Sequence, residues 1–278
     1  MQYTEGRFLG TGGLELYRQS WLPESEPDAV IVLVHGVGEH SGRYMGVVGP
    51  LVQRGYAVCG YDQRGHGHSP GQPVFVERWL EYREDLGRLL GVVAEEFPDR
   101  PVFVYGHSMG SLVVLDYLLF HPEGLAGAII SGVAIEPAGV GSHVTIALAR
   151  LLTGVLPRMS VDLGIDANSL THDPVALAAY QADPMVTGRA TVRWGTESLD
   201  AVTRVKEGMG QICLPLLVLH GQDDPLNRVD GAKALFSATS HPDSRLCIYP
   251  DTYHEPHNDL VHDQVAADIG QWVARLVS

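Results

Sequence analysis

Val102-Phe103-Val104-Tyr105-Gly106-His107-Ser108-Met109-Gly110 is the stretch that decides how the chain folds. Four β-favouring residues run into two glycines that bracket a serine, and Met109–Phe120 continues as a helical pattern. Strand, sharp turn and helix are the setting in which G-x-S-x-G forms a nucleophile elbow. The glycines permit that turn, because a side chain at either place would collide with neighbouring backbone. The turn lifts the Ser108 hydroxyl to a helix N-terminus, whose dipole favours developing negative charge. The pattern alone is weak in a chain with 32 glycines, and a glycine-rich turn with a capping serine is the plain alternative. The rest of the chain decides between them.

Outward from this stretch, short apolar runs alternate with longer helical ones. Strands are expected at Ala29–Val34, Tyr56–Tyr61, Val102–Tyr105, Leu125–Ile130, Leu216–Leu219 and Arg245–Tyr249. Helices are expected at Met45–Arg54, Phe75–Glu96, Ser108–Phe120, Gly231–Ser237 and Asp259–Leu276. This alternation predicts an α/β fold with a mostly parallel sheet covered by helices on both faces. Between Ile135 and Cys213 the strand rhythm stops. Thr145–Leu156 is almost wholly apolar, and Asp173–Tyr180 reads as a short helix opened by Asp-Pro. The simplest division is a core over 1–133, an inserted helical cap over 134–206, and the rest of the core over 207–278. Extra core helices are the bland alternative.

Composition removes several classes of partner. The 278 residues carry 19 Lys+Arg against 33 Asp+Glu, a net charge of −14, which a phosphate backbone repels. Nucleic-acid binding is therefore not expected. Three cysteines without CxxC spacing argue against a disulfide framework. The beginning MQYTEGRFLGTGG lacks the pattern of a signal peptide, and the longest apolar stretch falls short of the about 20 residues that span a bilayer. A cytoplasmic protein is the expectation.

A serine hydroxyl needs a base held by an acid, and elbow enzymes order them Ser, Asp or Glu, His. The strand at Leu216 runs into His220-Gly221-Gln222-Asp223-Asp224, and the next one into Pro250-Asp251-Thr252-Tyr253-His254. Both aspartates remain candidates for the acid, and His254 is the base. Oxyanion donors are expected at the backbone N–H of Met109 and, after the strand Ala29–Val34, of Val37. The motif His254-Glu255-Pro256-His257 is one residue short of H-E-x-x-H, and Pro256 would break the helix a zinc site needs. No metal and no organic cofactor are expected. Gly10-Thr11-Gly12-Gly13 lacks a phosphate-binding spacing and reads as a turn.

With these residues in place, the chain resembles the monoacylglycerol lipase and lysophospholipase group of α/β-hydrolase-fold serine hydrolases. The similarity is carried by His35-Gly36-Val37-Gly38-Glu39-His40-Ser41-Gly42-Arg43-Tyr44, Tyr61-Asp62-Gln63-Arg64-Gly65-His66-Gly67-His68-Ser69, Gly106–Gly110, Tyr180-Gln181-Ala182-Asp183-Pro184, and Tyr253-His254 with His257. The family's H-G-x-x-D pattern falls on His220, Gly221 and Asp224. The resemblance therefore implies Ser108 as nucleophile, Asp224 as acid and His254 as base, with Val37 and Met109 as oxyanion donors. It also implies a cap and a leaving-alcohol pocket of Glu39, Arg43, Tyr180 and His257. The implied substrate is a lipid ester, a monoacylglycerol, with transient contact between the cap and a membrane or lipid aggregate. Departures are Val37, where a smaller residue is common, and a loosely matching cap. A lysophospholipase or broad carboxylesterase is the alternative. A peptidase acting on small N-terminal residues and a non-catalytic binding protein are the remaining readings.

Overall fold

All six expected strand segments join one sheet. The computed structural model describes residues 1–121, 123–138 and 143–277; the side chains of 143–146 and 148, part of the apolar run noted above, lie outside that description. Gln2–Leu9 (β1) and Glu15–Leu22 (β2) form an antiparallel hairpin that the sequence did not announce, turning at Thr11–Gly13. Ala29–Val34 (β3), Tyr56–Tyr61 (β4), Val102–His107 (β5) and Gly127–Ser131 (β6) follow. Ser160–Asp162 (β7) and Arg189–Thr191 (β8) pair only with each other, outside the main sheet. Leu216–Gly221 (β9) and Arg245–Tyr249 (β10) complete it, in the order β1-β2-β4-β3-β5-β6-β9-β10, parallel from β4 to β10.

Apart from the edge strand β10, the parallel strands are buried on both faces, which is why they read as apolar runs rather than as alternating patterns. In β3, Val30, Val32 and Val34 enter one core cluster, and Ala29, Ile31 and Leu33 the other. A slip of one residue would exchange the two sets, so the packing fixes the register. Met45–Gln53 (α1) and His262–Val277 (α8) cover the second face through Val48, Leu51, Ile269 and Trp272. Leu80–Glu96 (α2), Met109–Phe120 (α3) and Val229–Ala238 (α7) cover the first.

Between β6 and β9 lie His143–Val155 (α4), β7, Pro174–Ala182 (α5), β8 and Val192–Gly208 (α6). This segment sits beyond the C-terminal ends of the strands but returns early: Ala201 and Val205 of α6 already pack in the first core cluster. The helix expected from Phe75 begins only at Leu80. Val74 stands at a positive φ of 48°, and its carbonyl accepts from both Nα and Oγ1 of Thr191 in β8. Tertiary hydrogen bonds there outweigh helical propensity.

Candidate active site

The turn between β5 and α3 is strained. Ser108 has φ 51° and ψ −119°, a conformation costing on the order of 1–3 kcal/mol for a residue with a side chain. Two glycines make it reachable. A Cβ on Gly106 would lie 2.5 Å from the Gly110 carbonyl oxygen, and one on Gly110 would lie 2.1 Å from that of Val34. Ser108 therefore stands at the start of α3, where Met109 is the first helical residue and its N–H has no intrahelical acceptor.

Three strand ends bring their side chains together. Ser108 Oγ lies 2.9 Å from His254 Nε2, and His254 Nδ1 lies 2.8 Å from Asp224 Oδ2. The other Asp224 oxygen accepts from the N–H groups of Leu226 and Asn227 at 2.8 and 3.0 Å. These bonds aim the carboxylate, whereas adjacent Asp223 is exposed. His220 adds a neighbour that sequence reasoning had used only as a motif letter. Its Nδ1 accepts from Val133 N–H, so Nε2 carries the proton, 3.0 Å from Asn227 O and 3.3 Å from Asp224 Oδ2. Burial works against a charged His254, but the Asp224 charge and hydrogen bond, with Glu255 and Glu39 behind them, hold its pKa above the ordinary histidine value. Burial would likewise raise Asp224, yet the facing His254 keeps that carboxyl below its usual range.

The loop after β3 carries Val37, which lines the same cavity as Ser108 and Met109. Its backbone is braced from two sides. Glu39 Oε1 accepts from Gly36 N–H and from Tyr44 Oη, both at 2.6 Å, and Gln63 Nε2 donates to the His35 carbonyl at 2.7 Å. The segment 61–69 belongs to this scaffold: Asp62 accepts from Ser41 and from His68 N–H, and Arg64 forms a bidentate pair with Asp85.

A cavity of about 530 Å³ opens above Ser108, within the range of small-molecule sites. Its apolar wall comes mainly from the 134–206 segment, with Leu163, Ile165, Trp194, Leu199 and Val202. Glu39, Arg43 and Tyr180 reach it; Tyr180 lies under the Arg43 guanidinium, 4.7 Å from its ring centroid. His257 does not. It is fully buried, stacked on Tyr44 at 4.3 Å and set edge-on against His107 at 4.5 Å, so its expected contact with the leaving alcohol is withdrawn. Two residues past His254 the chain enters a short 3-10 turn, Pro256–Asn258, which carries the second imidazole behind the first. Glu255, which the sequence offered only as a broken zinc motif, lines the cavity instead.

Known proteins resemble this chain over nearly its whole length. The serine aminopeptidase, S33 (Hydrolase_4) family matches residues 25–261. A monoacylglycerol lipase of Mycolicibacterium smegmatis is 34% identical over 97% of this chain and 96% of its own length. A human monoglyceride lipase is 31% identical over 96% and 89%. Among solved structures, the monoacylglycerol lipase of Paleococcus ferrophilus superposes with a TM-score of 0.85 at 29% identity, covering 95% of this chain and 99% of that one. A soluble variant of the Saccharomyces cerevisiae monoglyceride lipase in complex with a substrate analogue gives 0.84 at 25% identity, covering 100% and 95%.

Proposed function

Since the chain belongs to the serine aminopeptidase, S33 family of α/β-hydrolases, as part of its monoglyceride lipase branch, we propose that it hydrolyses monoacylglycerols to glycerol and fatty acid. The observation that carries this reading is the Ser108–His254–Asp224 relay opening onto an apolar cavity. In it, His254 Nε2 takes the Ser108 proton as Oγ attacks the acyl carbonyl, and the N–H groups of Val37 and Met109 receive the oxyanion. His254 then protonates the departing glycerol oxygen. Water, deprotonated by the same imidazole, cleaves the acyl-enzyme. Asp224 fixes the tautomer and stabilises the imidazolium.

The 134–206 segment acts as the cap in this reading. Its inner wall takes the acyl chain, and Arg43 and Tyr180 border the glycerol end. Its outer side presents Leu151, Val155 and Val175, exposed at 69%, 72% and 75%, which supports docking on a lipid aggregate or membrane surface. No helix among the described residues is long and apolar enough to cross a membrane. Free thiols at Cys59, Cys213 and Cys247 fit a reducing, cytoplasmic setting.

Two measurements test the reading. Ser108→Ala should abolish turnover and fluorophosphonate labelling while leaving circular dichroism unchanged; retention of more than about a hundredth of kcat would remove Ser108 from the mechanism. Monoacylglycerol should exceed a lysophosphatidylcholine of equal chain length in kcat/KM by at least about tenfold, roughly 1.4 kcal/mol. A ratio near one would favour a general esterase or lysophospholipase.

A further inference from the structure

Two chain segments meet at Arg43. Its Nη1 donates to Glu39 Oε2 at 2.5 Å and to Glu255 Oε1 at 2.9 Å, while Nη2 donates to Glu255 Oε2 at 2.7 Å. Glu39 belongs to the loop that carries Val37, and Glu255 follows His254 directly. Side-chain exposure is 9% for Arg43 and 4% for each glutamate. Glu255 is held twice more, by Asn258 Nδ2 at 2.8 Å and by its own N–H donating to Leu170 O at 2.8 Å. Arg43 thus bridges the candidate oxyanion loop and the histidine loop, 212 residues apart in sequence.

Burying two carboxylates around one guanidinium carries a desolvation cost that hydrophobic residues of similar size would avoid. A planar bidentate pair fixes distance and orientation in a way a single contact does not. The triplet also leaves one net negative charge next to the imidazole, since two carboxylates face one cation. Recognition of glycerol alone does not account for it, because every carboxylate oxygen of Glu39 and Glu255 already accepts a hydrogen bond within the protein.

We propose that Glu255 is a positioning residue for the hydrolysis. Through Arg43 it sets the distance between His254 and the Val37 N–H, and its charge supports the imidazolium that forms when Ser108 attacks. The inference rests on the Ser108–His254–Asp224 reading. The other charged and titratable groups around His254 are Asp224 and His220 from the β9 side, His107 from β5, His257 from its own loop, and Glu39 and Arg43 from the loop after β3. Asp224 raises the His254 pKa most strongly among these charges, with Glu255 next.

The test compares Glu255→Gln, which keeps the shape and removes the charge, with Glu255→Asp, which keeps the charge and shortens the reach. Both are assayed on a small p-nitrophenyl ester, whose leaving group needs no glycerol contacts, across pH, with Ser108→Ala alongside. Glu255→Gln should lower kcat by about tenfold with KM within about twofold. It should also move the acid limb of kcat/KM down by about half a pH unit. Glu255→Asp should lose kcat but leave the limb in place. Wild-type kcat and an unmoved limb in Glu255→Gln would overturn the proposal, as would an effect confined to KM for monoacylglycerol, which marks a substrate contact. Should Glu255→Gln fail to fold, wild-type kcat in Glu255→Asp overturns it alone. Turnover by Ser108→Ala would sink the underlying reading whatever the Glu255 variants do.

Discussion

At the scale of single residues, the two adjacent aspartates offer the sharpest contrast. Asp224 is buried with its carboxylate committed to His254, Leu226 and Asn227, while Asp223 faces solvent. Asp224→Asn should cut kcat by about three to four orders of magnitude, because an amide permits the wrong imidazole tautomer and cannot balance its cation. Asp223→Asn should change kcat by less than about twofold, as surface substitutions usually do. The base must be neutral to act, so kcat/KM rises with pH through the His254 pKa, which Asp224 holds above the ordinary histidine value. Removing the Asp224 charge takes away the largest raising influence, so whatever activity remains in Asp224→Asn should set in at lower pH. Equal losses in the two variants, or an acid limb moving upward, would contradict this arrangement.

At the scale of elements, α4 carries a comparable test. Leu151 and Val155 point outward on it, while Ala149 lines the cavity and Leu152 is half-buried. Replacing Leu151 and Val155 with serine removes exposed apolar surface only. Vesicle binding should fall by about fivefold or more, with Tm within about 2 °C of wild type. A lowered Tm with unchanged binding would assign the helix to packing. The parallel strands and their helices were legible in sequence because burial on both faces leaves uninterrupted apolar runs such as Ala29–Val34. β1 was not: it is an edge strand with only Phe8 buried, so QYTEGRFL shows no apolar run to read. β7 and β8, three residues each, are too short to carry a pattern. Within the site, Ser108, Asp224 and His254 could be placed because each lies on the loop that follows a strand, and strand ends converge. Glu255 could not, because its partner Arg43 becomes visible only when the sheet has brought the two loops together.

At the scale of the whole molecule, charge and apolar docking oppose each other. The net charge of −14 is spread over the body. The arginines near the exposed face of α4 are engaged: Arg150 pairs with Asp200 at 2.6 Å, and Arg158 lies over the Phe75 ring and donates to Gln72. Arg150 is neutralised by its ion pair and Arg158 keeps its charge, but the −14 of the whole chain makes the long-range field repulsive toward anionic headgroups. If Leu151, Val155 and Val175 dock the cap, affinity should be highest for neutral zwitterionic vesicles. Replacing about a third of the lipid with phosphatidylserine at low salt should weaken binding by about threefold or more. Raising ionic strength to about 0.15 M shortens the screening length to about 8 Å and should recover most of that loss, because apolar contact does not depend on it. Sedimentation with sucrose-loaded vesicles at two salt concentrations separates the contributions. Binding that tightens with phosphatidylserine and weakens with salt would mean that the arginines of the cap, freed from their partners at the surface, outweigh the charge of the whole body.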